Sequence, residues 1–298
     1  MKSSSAKLLM ALVCIARGTS FLFSKTLMNT MSPMSVMGVR FLLSFIILAV
    51  VFNKKLRNMS KATLKGGILL GVGYTVTMVF EMYGLRLIDT GTSAFVENMA
   101  IVLVPIYAAI LTRVLPKLKT VCCAVIAVLG VGCLSYSEMK QGGSALGIIL
   151  AICAALAFAA CIMITDKVSR EGDPIAEGMI QMGVMGVLTT IMAFFTGGFE
   201  IPTTGDQWAM IGCLVLICSC FGFAFQPVAQ KYISAETAAM FTVVNPLSCS
   251  ILGIIAAGED HGIVKIIGCV LILAAMVVYN MNLTRQQESR ESKVTCGK

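Results

Sequence analysis

Five ionisable side chains interrupt the apolar runs of this chain: Arg17, Lys25, Arg40, Glu81 and Glu97. A charge near the centre of a membrane-spanning helix costs at least ~2.5–3.5 kcal/mol, and it persists where it pairs or lines a wet cavity. A rise of about 1.5 Å per residue puts Arg40, Glu81 and Glu97 roughly 9–11 Å beneath one membrane surface, Lys25 about 6 Å and Arg17 about 18 Å, near the midplane. All but Arg17 thus share one level, on four consecutive helices. Such a set can tie helices together through ion pairs. It can also form a polar cavity wall that binds a charged or zwitterionic solute, or carries protons on Glu81 or Glu97. Three cations against two acids leave one positive charge over, which favours an anionic or zwitterionic solute. Arg17 and Lys25 are about 80° apart around an ideal helix, so both can face one broad cavity. The expected roles follow: Arg17 holds the solute's negative group, Lys25 stands at the outer approach, and Glu97 holds an ammonium group or takes up a coupling proton.

Other chemistry is thinly represented. His261 is the single histidine, so a His-based metal site is not expected. Twelve cysteines contain no CxxC and read as small buried hydrophobes. Gly71-Val72-Gly73 lacks the remainder of a nucleotide fingerprint, no Walker motif occurs, and no nucleophile–base pair is readable. No enzyme activity and no cofactor are therefore expected.

The elements that must position these charges are membrane helices. Apolar residues make up 57% and charged residues 13% of 298, against roughly 25% charged in soluble chains. At about 20 residues per span, the chain accommodates about ten helices: 8–29, 33–52, 66–86, 91–112, 119–136, 145–165, 175–197, 207–228, 235–257 and 262–282. Transmembrane strands would alternate over ~10 residues, whereas these runs are longer and uniformly apolar. The early Lys2 and Lys7 mimic a signal peptide, but Arg17 breaks the apolar stretch and no cleavage site follows, so it reads as an uncleaved first helix. The polar end beyond about residue 284 reads as a disordered tail.

The chain also repeats itself. Pro33 matches Pro174, Ser93-Ala94 matches Ser234-Ala235, Met99 matches Met240 and Pro105 matches Pro246, each pair 141 residues apart. Two five-helix copies, 1–138 and 139–283, follow, with 284–298 as the tail. An odd number of helices per copy inverts the second relative to the first, which places a binding site between them near the midplane. Pro105 and Pro246 fall in the middle of the fourth and ninth spans, where proline removes a backbone hydrogen bond and kinks a helix; both helices are expected to bend as the halves rock. The charges are not repeated: Arg17 maps onto Phe158, Lys25 onto Asp166, Arg40 onto Gln181, Glu81 onto Gly222 and Glu97 onto Ala238.

The net charge of +8 is a property of the loops. Of 23 Lys and Arg residues, 17 lie on one side, including Lys54, Lys55, Arg57, Arg113, Lys167, Lys231 and Arg285, and only Arg86, Lys140 and Lys265 lie on the other. The positive-inside rule makes both termini cytoplasmic. No aromatic–basic platform for nucleic acid is present.

Several of these residues resemble the drug/metabolite transporter superfamily, in its EamA-like form. Gly18-Thr19-Ser20-Phe21 with Lys25 resembles that family's first helix, Ser35 through Arg40-Phe41 its second, and Thr92-Ser93-Ala94 through Pro105 its fourth. Ser234-Ala235 through Pro246, then Gly258-Glu259, resembles the matching pattern in the second copy. The resemblance covers roughly 7–282. It implies ten helices, a central cavity and alternating access, and a secondary transporter of the cell membrane that exports or exchanges a small organic solute, with protons or a counter-substrate as partner. Nucleotide-sugar or phosphorylated-metabolite exchange on the same fold is the alternative. Arg17 and Glu97 depart from the family pattern.

Overall fold

Ser32 and Asp173 occupy matching places in the two copies, each just before a proline, and each starts a helix in the computed structural model, which describes residues 3–113, 118–140, 142–233, 237–238, 241, 244–252, 262–275 and 277–278. Ser32 Oγ accepts the N–H of Ser35, and Asp173 Oδ1 accepts those of Ile175 and Ala176. The following proline has no N–H to leave unsatisfied, so both ends are pre-formed helix starts.

The elements are α1 (Ser3–Leu27), α2 (Pro33–Val51), a short α3 (Asn53–Arg57), α4 (Lys61–Leu85), α5 (Thr90–Glu97), α6 (Ala100–Thr112), α7 (Leu118–Lys140), α8 (Ala145–Glu171), α9 (Pro174–Phe195), α10 (Gly205–Cys213), α11 (Ala224–Gln230), α12 (Val244–Leu252) and α13 (Ile263–Ala275). A π-helical stretch, Leu214–Phe223, joins α10 to α11 without a break. Eight stretches among the described residues are long and apolar enough to cross a membrane, with α5–α6 and α10–α11 each counting as one. The expected ninth span lies in part outside the described residues, with α12 as its longest described part, and the tenth is represented by the shorter α13. The expected tail, 284–298, also lies outside them. The protein is therefore an all-helical membrane protein. Its burial pattern fits one: Arg40, Glu81 and Glu97 are buried while Val50, Leu69, Phe195 and Leu216 point outward.

The two copies interlock. Helix α2 packs along α9, its counterpart. Helix α1 packs against Leu214–Phe223, α11 and α12, while α8 packs against α4, α5 and α6. Each copy's first helix is thus held by the third and fourth spans of the other, as a two-fold relation between the copies requires. Close approach needs small residues at the crossings. A Cβ on Gly67 or Gly71 of α4 would lie 2.6 Å or 2.5 Å from the β-carbon of Ile180 or Val184 on α9.

The fourth span breaks at Asn98–Met99, between α5 and α6, and Pro105 lies inside α6. The local cause is Asn98, whose Nδ2 donates to the Ala94 carbonyl at 2.7 Å and so competes with the helix ladder. Pro246 lies in α12.

At the lysine-rich end Lys55 Nζ meets Asp173 Oδ2 at 2.6 Å, which ties the first copy to the second. Partial burial pushes the Asp173 carboxyl up, but Lys55 and the N–H groups of Ala176 and Ile175 outweigh this and hold it below the usual carboxylate range. A lowered value means stabilisation that is present above the ordinary Asp pKa of about 3.9 and is lost as pH falls through the lowered one. The ion pair is half exposed and contributes little; the cap contributes more. Asp173→Ala is expected to cost ~1 kcal/mol, and most of that loss should persist in a Lys55→Ala background. Equal loss from Lys55→Ala alone, in thermal melts, would assign the effect to the ion pair instead.

Candidate functional site

Arg17 reaches the middle of the bundle from α1 and touches its own repeat counterpart. Its guanidinium carbon lies 4.7 Å from the Phe158 ring centroid and 4.2 Å from that of Phe223. The two residues occupy equivalent positions 141 apart in the two copies, so this contact joins the copies through matching helices. Gly222, the counterpart of Glu81, leaves room for the same side chain: a Cβ there would sit 3.1 Å from Arg17 Cγ.

The guanidinium is oriented by a chain of hydrogen bonds. Arg17 Nη1 donates to Gln226 Oε1 at 2.8 Å, and Gln226 Nε2 donates to Tyr74 Oη at 2.7 Å. Tyr74 in turn meets Phe223 and Phe158 edge-on, with centroids 5.7 Å and 6.3 Å away. The result is a cation held between two aromatic faces, with several of its five N–H donors left over. Cation–π contact stabilises a guanidinium by about 0.5–2 kcal/mol per ring, and more where water is excluded.

Arg40 lies on α2 beside this box. Its Nε donates to Ser219 Oγ at 2.7 Å, and its Nη2 is buried with no hydrogen-bond partner among the described residues. Phe41 and Phe223 flank it, with ring centroids 5.0 Å and 5.6 Å from its guanidinium carbon. The π-helical stretch supplies both Ser219 and Phe223. Such widened turns recur at functional sites because they redirect side chains that an α-helix would place elsewhere.

Glu81 on α4 and Glu97 at the end of α5 complete the group. Both are sealed from solvent, and neither accepts a hydrogen bond from a described donor. Each feels the other's carboxyl and the Arg17 charge, and Glu81 also feels Arg40. Arg40 binds Ser219 and forms no ion pair with Glu81 among the described residues. Four of the five charges singled out from the sequence thus share one buried cluster.

Lys25 does not join them. Its Nζ donates to the Ile88 carbonyl at 2.9 Å and lies 3.8 Å from Asp89 Oδ1, toward the lysine-poor end. Lys265 meets the other oxygen of Asp89 at 2.5 Å, and Glu138, which accepts from Thr92, lies beside them. Asp89 precedes α5 in extended conformation but makes no capping hydrogen bond; its carboxylate is committed to lysines from the two copies. The excess positive charge counted from the sequence therefore does not survive in the cluster, where Arg17 and Arg40 face Glu81 and Glu97, two against two.

Sequence reasoning identified the cluster's charges and missed its frame. Tyr74, Phe158, Phe223 and Ser219 are ordinary residues in apolar runs; only Gln226 carried a signal, as an amide within a span. A groove of about 750 Å³ between α4, α6 and α8 lies elsewhere, lined by Lys65, Leu69, Leu111, Met163 and Lys167 among others. It opens sideways where Leu69 and Leu111 are exposed, and none of the five charges lines it.

Comparison with known proteins agrees with this architecture. The model of the EamA-like transporter family matches twice, over residues 4–136 and 145–281. A protein of Archaeoglobus fulgidus described as an uncharacterized transporter is 25% identical over 282 residues, covering 93% of this chain and 86% of that one. A solved structure, described as the crystal structure of a protein, superimposes with a TM-score of 0.67 at 14% identity, covering 96% of this chain and 99% of that one; it speaks to the fold alone.

Proposed function

The chain belongs to the EamA-like transporter family, and from that premise we propose that it moves a small organic metabolite, amino acid-like or otherwise anionic or zwitterionic, across the cell membrane by alternating access, exporting or exchanging it. It is a multi-pass membrane transporter and not an enzyme. In the finer reading, residues 1–138 and 139–283 form two inverted five-helix repeats, both termini face the cytoplasm, and the Lys25–Asp89 cluster lies at the outer face. Protons or a counter-substrate drive the exchange.

One observation carries the solute assignment: Arg17 stands at the contact between repeat counterparts, oriented by Gln226 and walled by Phe158 and Phe223. In inverted-repeat transporters the solute binds near the midplane between the repeats. A planar cation with unused donors at that point suits a carboxylate, which guanidinium binds in a two-pronged manner. Alternating access needs one side closed while the other opens, and Asp89, shared by Lys25 and Lys265, supports a closed outer side in this state.

Counterflow tests the proposal. Purified protein in liposomes loaded with unlabelled L-amino acids or short carboxylates is expected to accumulate the same labelled solute transiently from outside. Failure across that panel, with counterflow by nucleotide sugars or sugar phosphates instead, would replace this reading with phosphorylated-metabolite exchange.

A further inference from the structure

Glu81 on α4 and Glu97 at the end of α5 lie on helices that pack together, and each carboxyl is close enough to act on the other. Their side chains are 2% and 1% exposed, and no described group donates to any of the four oxygens. A buried acceptor without a donor costs about 1–3 kcal/mol, more when charged. Two ionised carboxylates side by side away from water add strong mutual repulsion. A proton on one of them removes both penalties, because the pair then contains its own donor and its own acceptor.

Among the described residues no other group donates to the pair. Arg17 from α1 and Arg40 from α2 act on the pair only through space. Helix α8 carries its charges, Asp166, Lys167, Arg170 and Glu171, at its far end, and α12 has none. On α9 the acid Glu177 lies against Gly172 and Gly66, about 22 Å from Glu81 by the rise of α4. Glu138 of α7 is engaged by Thr92.

We infer that Glu81 and Glu97 hold one proton between them and form the proton-binding site of the transport cycle. The inference rests on the solute reading above and gives it a coupling ion. With the proton in place, Arg17 and Arg40 face a single negative charge, so the cluster is positive and receives an anionic group. Without the proton the cluster is neutral and that attraction is gone. Proton and anion therefore favour each other's binding, by the same factor in each direction, and travel together through this state. A second consequence concerns Gln substitution. Glu81→Gln or Glu97→Gln replaces the shared proton by an amide that donates to the remaining carboxylate, so each imitates the loaded pair permanently.

Infrared difference spectroscopy of the purified protein at neutral pH reads the proton without any solute. Wild type minus Glu81→Gln and wild type minus Glu97→Gln are each expected to show one carboxylic-acid carbonyl band, equivalent to one group, which shifts in D2O. Neither variant retains the band. Both remain folded, with melting temperatures within a few degrees of wild type. No such band in wild type, a band persisting in either variant, or unfolding of both variants overturns the shared proton. The outcomes separate from those of the transport assay. A missing band leaves counterflow untouched, and absent counterflow with the band present rejects the solute reading while the proton site stands.

Discussion

Arg17→Gln is expected to yield a folded, membrane-inserted protein whose affinity for the carboxylate solute falls roughly 10- to 150-fold, which corresponds to the ~1.5–3 kcal/mol of a hydrogen bond to a charged group. The side chain is 6% exposed and its guanidinium lies between Phe158 and Phe223, so its loss also removes two cation–π contacts. Those contacts concern stability, not solute, and Arg17→Lys separates the two contributions. Lysine keeps the charge but loses the planar fork and the stacking; it should recover part of the affinity while melting no higher than the Gln variant. The measurement is solute-induced thermal stabilisation, which rises with the logarithm of concentration over Kd, using the solute that shows counterflow. Normal affinity in well-folded Arg17→Gln would falsify the binding role and leave Arg17 as a packing residue. A lost melt transition in both variants would assign it to folding.

The duplication was legible because it is written in spacing. Pro33 and Pro174, 141 residues apart, each follow a capping residue and open α2 and α9, and these helices pack on one another. Depth along a helix was a poorer guide: a constant rise set Lys25 with Arg40, Glu81 and Glu97 and Arg17 apart, whereas the fold joins Arg17 to the other three and leaves Lys25 with Asp89. Depth says nothing about direction around a helix, and there the reading strayed. Lys25 lies eight residues beyond Arg17, an angle compatible with one cavity, yet it turns to Asp89. The decisive partner, Lys265, is remote in sequence and is one of three basic residues that read as ordinary loop charges. The break at Asn98 was hidden for a different reason. Proline is a conspicuous kink signal, whereas the bond from Asn98 Nδ2 to Ala94 exists only once the side chain adopts one rotamer. The π-helical turns at Leu214–Phe223 have no residue signature, although they bring Ser219 to Arg40 and Phe223 to Arg17.

The separation of Lys25 from Arg17 gives the lysine-poor end, which we propose to be the outer face, a testable role. Asp89 is the carboxylate shared by Lys25 of the first copy and Lys265 of the second, at 3.8 Å and 2.5 Å. Lys265 is 7% exposed, so the contact is shielded from the screening that weakens surface pairs. Asp89→Asn removes the negative charge with almost no change of shape, and it sacrifices no helix cap because the native side chain makes none. Helix α5 should then separate more readily from the second copy. A native reporter lies directly beneath: Cys249 of α12 is fully buried and its Sγ lies 3.3 Å from the Thr90 carbonyl. In Asp89→Asn, a membrane-impermeant maleimide added from outside is expected to label Cys249 about tenfold faster than in wild type, equivalent to ~1.4 kcal/mol moved toward the outward-open state. Peptide mapping by mass spectrometry distinguishes Cys249 from the other cysteines, and an unchanged melting temperature separates opening from unfolding. The inference fails if the labelling rate of Cys249 in the folded variant equals that of wild type, because the outer face would then be closed by apolar packing, with the ions as bystanders.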